Sequence, residues 1–272
     1  MVPILTAERG VLGVGFFVLL MLAESVAPYR RGVEARWRRT LVNLFITGSN
    51  ALLLTVLLGG MLVAAYQACE LHRVGLLHAL GVASWWNVLG SVVLLDGATY
   101  WWHRAYHQLP PMWRMHRVHH SDLDVDVTTS GRFHLTEMVL SACFRLGVIA
   151  LWGAGVASVV MFEIVFGLFN QVEHANLRLP GRLDRGLRAV FVTPDMHRVH
   201  HSQIPDHTNS NYGAVFSCWD RLFGTYRVVE DQGALILGLP EYRAPVDVTL
   251  GKVLAMPFGP PCGLVAGQPL QV

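Results

Sequence analysis

Three groups of histidines hold most of the sequence's capacity for chemistry: His103-Arg-Ala-Tyr-His107, His116-Arg-Val-His119-His120 and His197-Arg-Val-His200-His201. The last two groups sit in one string, MHRVHHS, which occurs at 115–121 and returns at 196–202. On a helix, i and i+4 share a face, and i, i+3, i+4 spread over only about 100°. Each group therefore aims its imidazoles one way. Neutral imidazole nitrogen is a metal ligand, and the eight donors of these groups are too many for one ion. A structural zinc takes about four ligands and a catalytic zinc about three plus water. Two metal ions are the economical reading. A basic, membrane-facing helix would also interleave histidine with arginine, but it would not need a duplicated H-x-x-H-H.

Other residues fall into place around these groups. His174, in the stretch NQVEHAN at 170–176, adds a ninth nitrogen, and Asn170 stands one turn before it as an oxygen donor, ahead of Gln171. His134, in GRFHLTE, is open as a tenth ligand, a donor behind the ligands or a substrate contact. Asp96, Tyr100, His103 and His107 follow a 4, 3, 4 step and share one stripe. A metal-bound histidine normally donates its second N–H to a carboxylate or carbonyl, which makes Asp96 a residue of that supporting kind. Asp122, Asp124, Glu173 and Asp195 flank the ligand groups in the same way. His72 and His78 read as structural.

The elements that must position these residues are helices in a membrane. Of 272 residues, 53% are hydrophobic and 15% charged, more apolar surface than a soluble globule of this size buries. The net charge of +2, without a basic stripe interleaved with aromatics, argues against nucleic acid as a partner. Apolar runs predict spans at about 9–27, 41–66 and 83–102. A fourth block, 137–169, is split by Trp152-Gly153-Ala154-Gly155. Each half, about 15 residues or about 22 Å of helix, falls short of a hydrocarbon core about 30 Å thick. A hairpin that dips in and returns is expected there. The expected fold is all-α: three to four spans plus a short hairpin, with a helical cap holding the two-metal site. One domain covers 1–272, with anchor spans in 1–102, a metal-binding core in 103–226 and a C-terminal cap and tail in 227–272.

Orientation follows from Arg30, Arg31, Arg36, Arg38 and Arg39 between the first two spans, because short arginine-rich loops stay cytoplasmic. Counting spans from there puts every clustered histidine on the cytosolic face. The segment 209–226, NSNYGAVFSCWDRLFGTY, reads as an interface-lying or capping stretch, and the tail from 255 as loosely ordered. Cys69, Cys143, Cys218 and Cys262 lie far apart, form no C-x-x-C pair and read as small hydrophobic residues.

Imidazole suits zinc, copper, iron and nickel alike. A site at the bilayer surface, however, is placed for a lipid substrate, whose unactivated C–H bonds yield to oxygen activated at iron rather than to a zinc-bound hydroxide. The order H-x-x-x-H, H-x-x-H-H, H-x-x-H-H, in the setting DGATYWWHRAYH and later NYGAVFSCWDRLFGT, resembles the fatty acid hydroxylase / sterol desaturase superfamily over roughly residues 90–226. The resemblance implies a helical membrane anchor, a cytosolic two-iron site and dioxygen as co-substrate, with His103, His107, His116, His119, His120, His197, His200 and His201 as iron ligands. It implies hydroxylation or desaturation of a sterol or fatty acyl lipid. No electron-carrying motif is present in the sequence, so electrons are expected from a ferredoxin or a cytochrome b5 type donor with its NAD(P)H reductase. Two other readings stand beside it: a membrane zinc hydrolase, for which the sequence has no H-E-x-x-H, and a metal transporter or sensor. Transport paths place polar groups inside several spans, whereas these histidines follow the spans.

Overall fold

A computed structural model describes residues 2–81 and 84–260. Helices connected by loops make up the fold, and among the described residues extended backbone pairs only at two isolated bridges, Phe191 with Phe216 and Ser202 with Leu237. The helices are α1 (Val2–Val26), α2 (Arg36–Leu54), α3 (Gly60–Leu71), α4 (Leu76–Ala79), α5 (Ser84–Gln108), α6 (Pro110–His120), α7 (Leu135–Trp152), α8 (Val156–His174), α9 (Gly181–Leu187) and α10 (Pro194–His200), followed by shorter turns. Cys262 and the end of the tail lie outside the described residues.

Among the described residues, three helices are long and apolar enough to cross a membrane: Arg36–Gly59, Leu135–Trp152 and Val156–His174, with a shorter apolar stretch at Gly10–Val26. The run expected at 41–66 is longer in the structure, since α2 passes through a π turn at Thr55–Gly59 directly into α3. The run expected at 83–102 begins at residues outside the described set and forms most of α5, which is not among the three apolar spans. Its polar residues explain the difference. Asn87, Ser91 and Asp96 are buried, and Asn87 bonds Gly153 O at 3.2 Å and Ser158 Oγ at 3.0 Å. Polar groups at membrane depth need partners inside the protein, and α5 finds them by packing among α6, α7 and α8.

The hairpin also departs from its expected length. Its arms, α7 and α8, have 18 and 19 residues, or about 27 to 29 Å at 1.5 Å per residue, longer than the expected halves of about 15 residues, and each is long and apolar enough to cross a membrane. The added turns carry chemistry: residues 170–174 continue α8 past the apolar block and bring Glu173 and His174 to the histidine end, while α7 starts at Leu135 with Glu137 beside His116. The turn sits where the glycines predicted, with Gly153 capping α7 at φ 75°. A Cβ on Gly75 would stand 2.2 Å from Gly153 N, so the loop after α3 and the hairpin turn meet backbone to backbone. That contact marks one end of the bundle.

All the clustered histidines lie at the other end, and the α1–α2 loop is stitched to them. Arg39 is buried and pairs with Asp122 at 3.0 Å and with Asp126. Asn43 and Thr129 bond the same Asp122 oxygen at 2.9 and 2.7 Å. Asp124 accepts the Val33 and Glu34 amides. Glu24, in the last turn of α1, accepts the amides of Val127 and Asn176 at 2.9 and 2.7 Å and pairs with Arg36. Two arginines of the orienting cluster, Arg36 and Arg39, thus also hold the membrane helices to the segment 120–132.

Candidate metal centre

Local sequence explains how each histidine is aimed. The last turns of α5 carry His103 and His107; Leu109, extended before the Pro110-Pro111 start of α6, swings the chain so that His116, His119 and His120 face back. His174 ends α8. Thr193 caps α10, whose first residue is Pro194, and that short helix delivers His197 and His200, with His201 as its C-cap.

The nine histidines named from the sequence converge in two groups. His103, His107, His116, His120 and His200 form one; His119, His174, His197 and His201 form the other, and in each group one nitrogen per residue lies within 4.8 Å of all the rest. The groups adjoin, with the rings of His120 and His201 stacked at 4.6 Å and those of His197 and His200 at 5.1 Å. In the first, His103 Nε2 stands 3.2 Å from His116 Nε2 and 3.1 Å from His200 Nε2. In the second, His174 Nε2 stands 3.1 Å from the Nε2 atoms of His119 and His197 and 3.3 Å from that of His201.

These contacts are not ordinary hydrogen bonds. His103 Nδ1 faces Tyr212 O at 3.0 Å, His200 Nδ1 faces Ser210 O at 2.7 Å and His116 Nδ1 faces Glu137 Oε1 at 2.7 Å. Carbonyl oxygens only accept, so His103 and His200 must carry their proton on Nδ1, and His116 does the same where Glu137 is ionised. Their Nε2 atoms are then all lone pairs, facing one another at 3.1 to 3.2 Å. Such an arrangement is repulsive unless a cation lies between. The spacing suits one, because ligands about 2.1 Å from a common ion stand about 3.0 to 3.4 Å apart. His107 is buried with neither nitrogen bonded, and His120 Nε2 is likewise unbonded. Buried polar atoms without partners need an explanation, and a cation supplies it. The donor set fits two metal ions.

Burial keeps the rings neutral. Desolvation, then the neighbouring His116, holds the His103 imidazole down at about 3, and desolvation holds His116 at about 3. His107, His119, His120, His197, His200 and His201 are pushed well below the usual histidine range, first by burial and then by one another.

Around the imidazoles stands a ring of acceptors. Besides Tyr212 O and Ser210 O, the Asn170 carbonyl takes His174 Nδ1 at 2.6 Å. Glu173 lies 3.8 Å from the Nδ1 atoms of both His174 and His197. Glu137 was missed by sequence reasoning, although a lone carboxylate opening an apolar segment was its signal.

The remaining named residues sit elsewhere. The Asn170 side-chain amide donates to Ser130 O at 2.9 Å, while its backbone carbonyl faces His174 Nδ1. His134 caps its own helix through Thr136 and lies against Phe258, apart from the nine. Asp96 accepts from Val215 N, Phe216 N and Trp219 Nε1 at 3.0, 3.1 and 2.8 Å. It therefore bonds no histidine, but fixes the 209–226 segment as a cap whose Tyr212 carbonyl does. Asp195 pairs with Arg198 at 2.7 Å. Asp122 and Asp124 serve the loop contacts described above rather than the histidines. His78 sits beside Gly153, at the far end.

A cavity of about 350 Å³ opens from the histidines into the spanning helices. Its floor is His103, His116, His119, His174 and His197, with Glu137 and Glu173 beside them; its walls include Leu54, Leu95, Trp102, Phe144, Val148 and Phe166. Trp102 stacks on Phe144 at 4.0 Å and bonds Ser141 Oγ at 3.0 Å. An apolar slot ending on polar groups is the ordinary form of a site for a lipophilic ligand.

Known proteins resemble this arrangement in sequence. An alkylglycerol monooxygenase of Xenopus tropicalis is 29% identical over 226 residues, which is 82% of this chain and 48% of the relative. The ornithine lipid hydroxylase OlsE of Rhizobium tropici is 32% identical over 141 residues, 52% of this chain and 41% of its own. Human cholesterol 25-hydroxylase is 24% identical over 143 residues, 52% of this chain and 51% of its own. The chain thus spans about half or less of the length of these curated relatives. No solved structure matches. Residues 88–225, half of the 272 and the part that contains all nine histidines, match the fatty acid hydroxylase family along their length, and the chain belongs to that family.

Proposed function

We propose that this protein is a membrane-bound lipid hydroxylase that holds two iron ions between its nine clustered histidines and uses dioxygen and electrons from a separate donor. The observation that carries the reading is the joining of two features: lone-pair nitrogens aimed at common points, and an apolar cavity that ends on those same histidines. His103, His107, His116, His120 and His200 would hold one ion, and His119, His174, His197 and His201 the other. Bound iron would supply the activation of dioxygen that attack on an unactivated C–H bond requires.

The protein's own residues do the rest. Leu54, Leu95, Phe144, Val148 and Phe166 exclude water and hold an acyl or alkyl chain straight along the hairpin. Trp102, fixed by Phe144 and Ser141, forms a rigid wall near the floor. Glu137 and the carbonyls of Tyr212, Ser210 and Asn170 keep the proton on Nδ1 of His116, His103, His200 and His174, which leaves Nε2 of each free to ligate. The relatives named as an alkylglycerol monooxygenase, an ornithine lipid hydroxylase and a cholesterol hydroxylase support lipid oxidation as the reaction class. The arginines joined to the histidine end of the bundle support a cytosolic site, where a ferredoxin or a cytochrome b5 with its NAD(P)H reductase would deliver electrons.

The test compares lipid extracts by mass spectrometry from cells with and without the protein, and with the His119→Ala or His200→Ala variant. A lipid heavier by one oxygen, dependent on both histidines, supports hydroxylation. A lipid lighter by two hydrogens assigns desaturation instead, and unchanged lipid profiles remove the reading.

A further inference from the structure

The far end of the cavity holds two charges where only apolar side chains are needed. Arg145, the eleventh of 18 residues of α7, pairs with Glu163, the eighth of 19 in α8, so the ion pair lies midway along both arms of the hairpin. Both residues line the cavity. Their side chains keep 24% and 21% of their exposure. The guanidinium lies over the rings of Phe166 and Phe162 at 5.2 and 5.7 Å, which fixes its plane. Its bond to Glu163 uses Nη1, and the rest of the fork has donors left to offer.

Ionisable side chains at this depth are costly and mark function more often than stability. A buried pair is commonly no more stabilising than apolar residues of the same volume. The pair has no net charge, so it favours neither an anionic nor a cationic ligand. What it presents together is an acceptor and a fork of donors, the complement of a neutral group that both gives and takes a hydrogen bond.

Resting on the reading of the site as a lipid hydroxylase, we propose that Arg145 and Glu163 bind the hydroxyl of a lipid alcohol and thereby set which carbon reaches the histidines. Arg145 lies eight residues along α7 from Glu137 and Glu163 ten residues along α8 from Glu173, about 12 to 15 Å of helix. With about 1.2 Å of reach per bond in an extended chain, the oxidised carbon stands on the order of ten to twelve bonds from the hydroxyl. The pair thus selects oxidation remote from the polar group, not next to it.

Hexadecanol and hexadecane are the probes, used with purified full-length protein in detergent. Displacement of a bound fluorescent fatty probe measures their affinities without turnover, and comparison with a variant cancels their different partition into micelles. The R145L/E163L double variant removes both charges and leaves neither unpaired; the R145E/E163R swap keeps a pair and serves if the first fails to fold. The expected result is that the preference for the alcohol over the alkane falls about tenfold to a hundredfold in R145L/E163L, with alkane affinity unchanged and the swap intermediate. In turnover, the wild type oxidises hexadecanol at about the tenth to twelfth bond from oxygen, and the double variant scatters the position. A preference equal in wild type and double variant, or product positions unmoved, overturns the proposal. If the alcohol preference depends on the pair yet neither probe nor any cellular lipid is oxidised, the binding site stands and the hydroxylase reading fails by itself.

Discussion

Glu137 Oε1 lies 2.7 Å from His116 Nδ1, joining the first turn of the apolar hairpin to the first group of histidines. The carboxylate both orients the ring and fixes its proton away from Nε2. Removal of such a partner typically weakens a metal site about 10- to 100-fold. Glu137→Leu is therefore expected to lose metal to a chelator at a concentration about one to two orders of magnitude lower than the wild type, and Glu137→Gln, which can still accept through its carbonyl, to fall between. Chelator titration followed by metal analysis checks this; unchanged retention in Glu137→Leu would leave the contact without a role.

The two groups make separable predictions. His174 belongs to the four-nitrogen group and His103 to the five-nitrogen group. His174→Ala leaves three nitrogens in its group and is expected to lower metal content from two ions to about one. His103→Ala leaves four in the other and is expected to retain more metal. Elemental analysis of both purified variants reads the difference, and equal losses would contradict the division.

Stability without metal should depend on pH. His103 and His116 sit at about 3, below the ordinary value of 6.5, because burial disfavours the imidazolium. The unfolded chain takes up protons below about 6.5 that the folded chain refuses, so stability is complete above that value and is lost as pH falls toward 3. Each histidine so held contributes about 1.4 kcal/mol per pH unit over that window. The melting temperature of metal-stripped protein should drop steeply from pH 7 to pH 5. A flat or rising profile would contradict burial of neutral imidazoles.

Arg39 carries the link between α2 and the metal-bearing core. Arg39→Leu leaves Asp122 and Asp126 buried with their main cation gone, an imbalance worth about 3 to 5 kcal/mol. The variant is expected to insert into the membrane but to unfold at markedly lower temperature. Thermal denaturation of the detergent-purified variant checks this; an unchanged melting point would show that the pair does not hold the two parts together.

What the sequence disclosed follows from which interactions are local. The histidine groups were legible because i, i+3 and i+4 spacing on a helix is a local fact, and the structure brings all nine rings together. His174 could be named because the hairpin returns to its starting face. The acceptors behind the ligands were not legible, because they depend on tertiary contacts. Asp96 shares the histidine stripe yet turns to the backbone of Val215 and Phe216, while Tyr212 O, a backbone atom without sequence signature, does what Asp96 was expected to do. The arms of the hairpin were underestimated for a related reason. Counting hydropathy alone ends the second arm near 169, whereas α8 runs on to His174 because Glu173 and His174 have a buried polar site to enter. The ion pair of Arg145 and Glu163 was visible as two charges in an apolar block, but its pairing needed the fold.

The most direct test is the metal content of the purified wild-type protein. Two iron ions per chain, lost together with dioxygen-dependent lipid oxidation when His119 or His200 becomes alanine, is the predicted result. One ion or none after expression with ample iron, or zinc in both places without oxygen uptake, would contradict it.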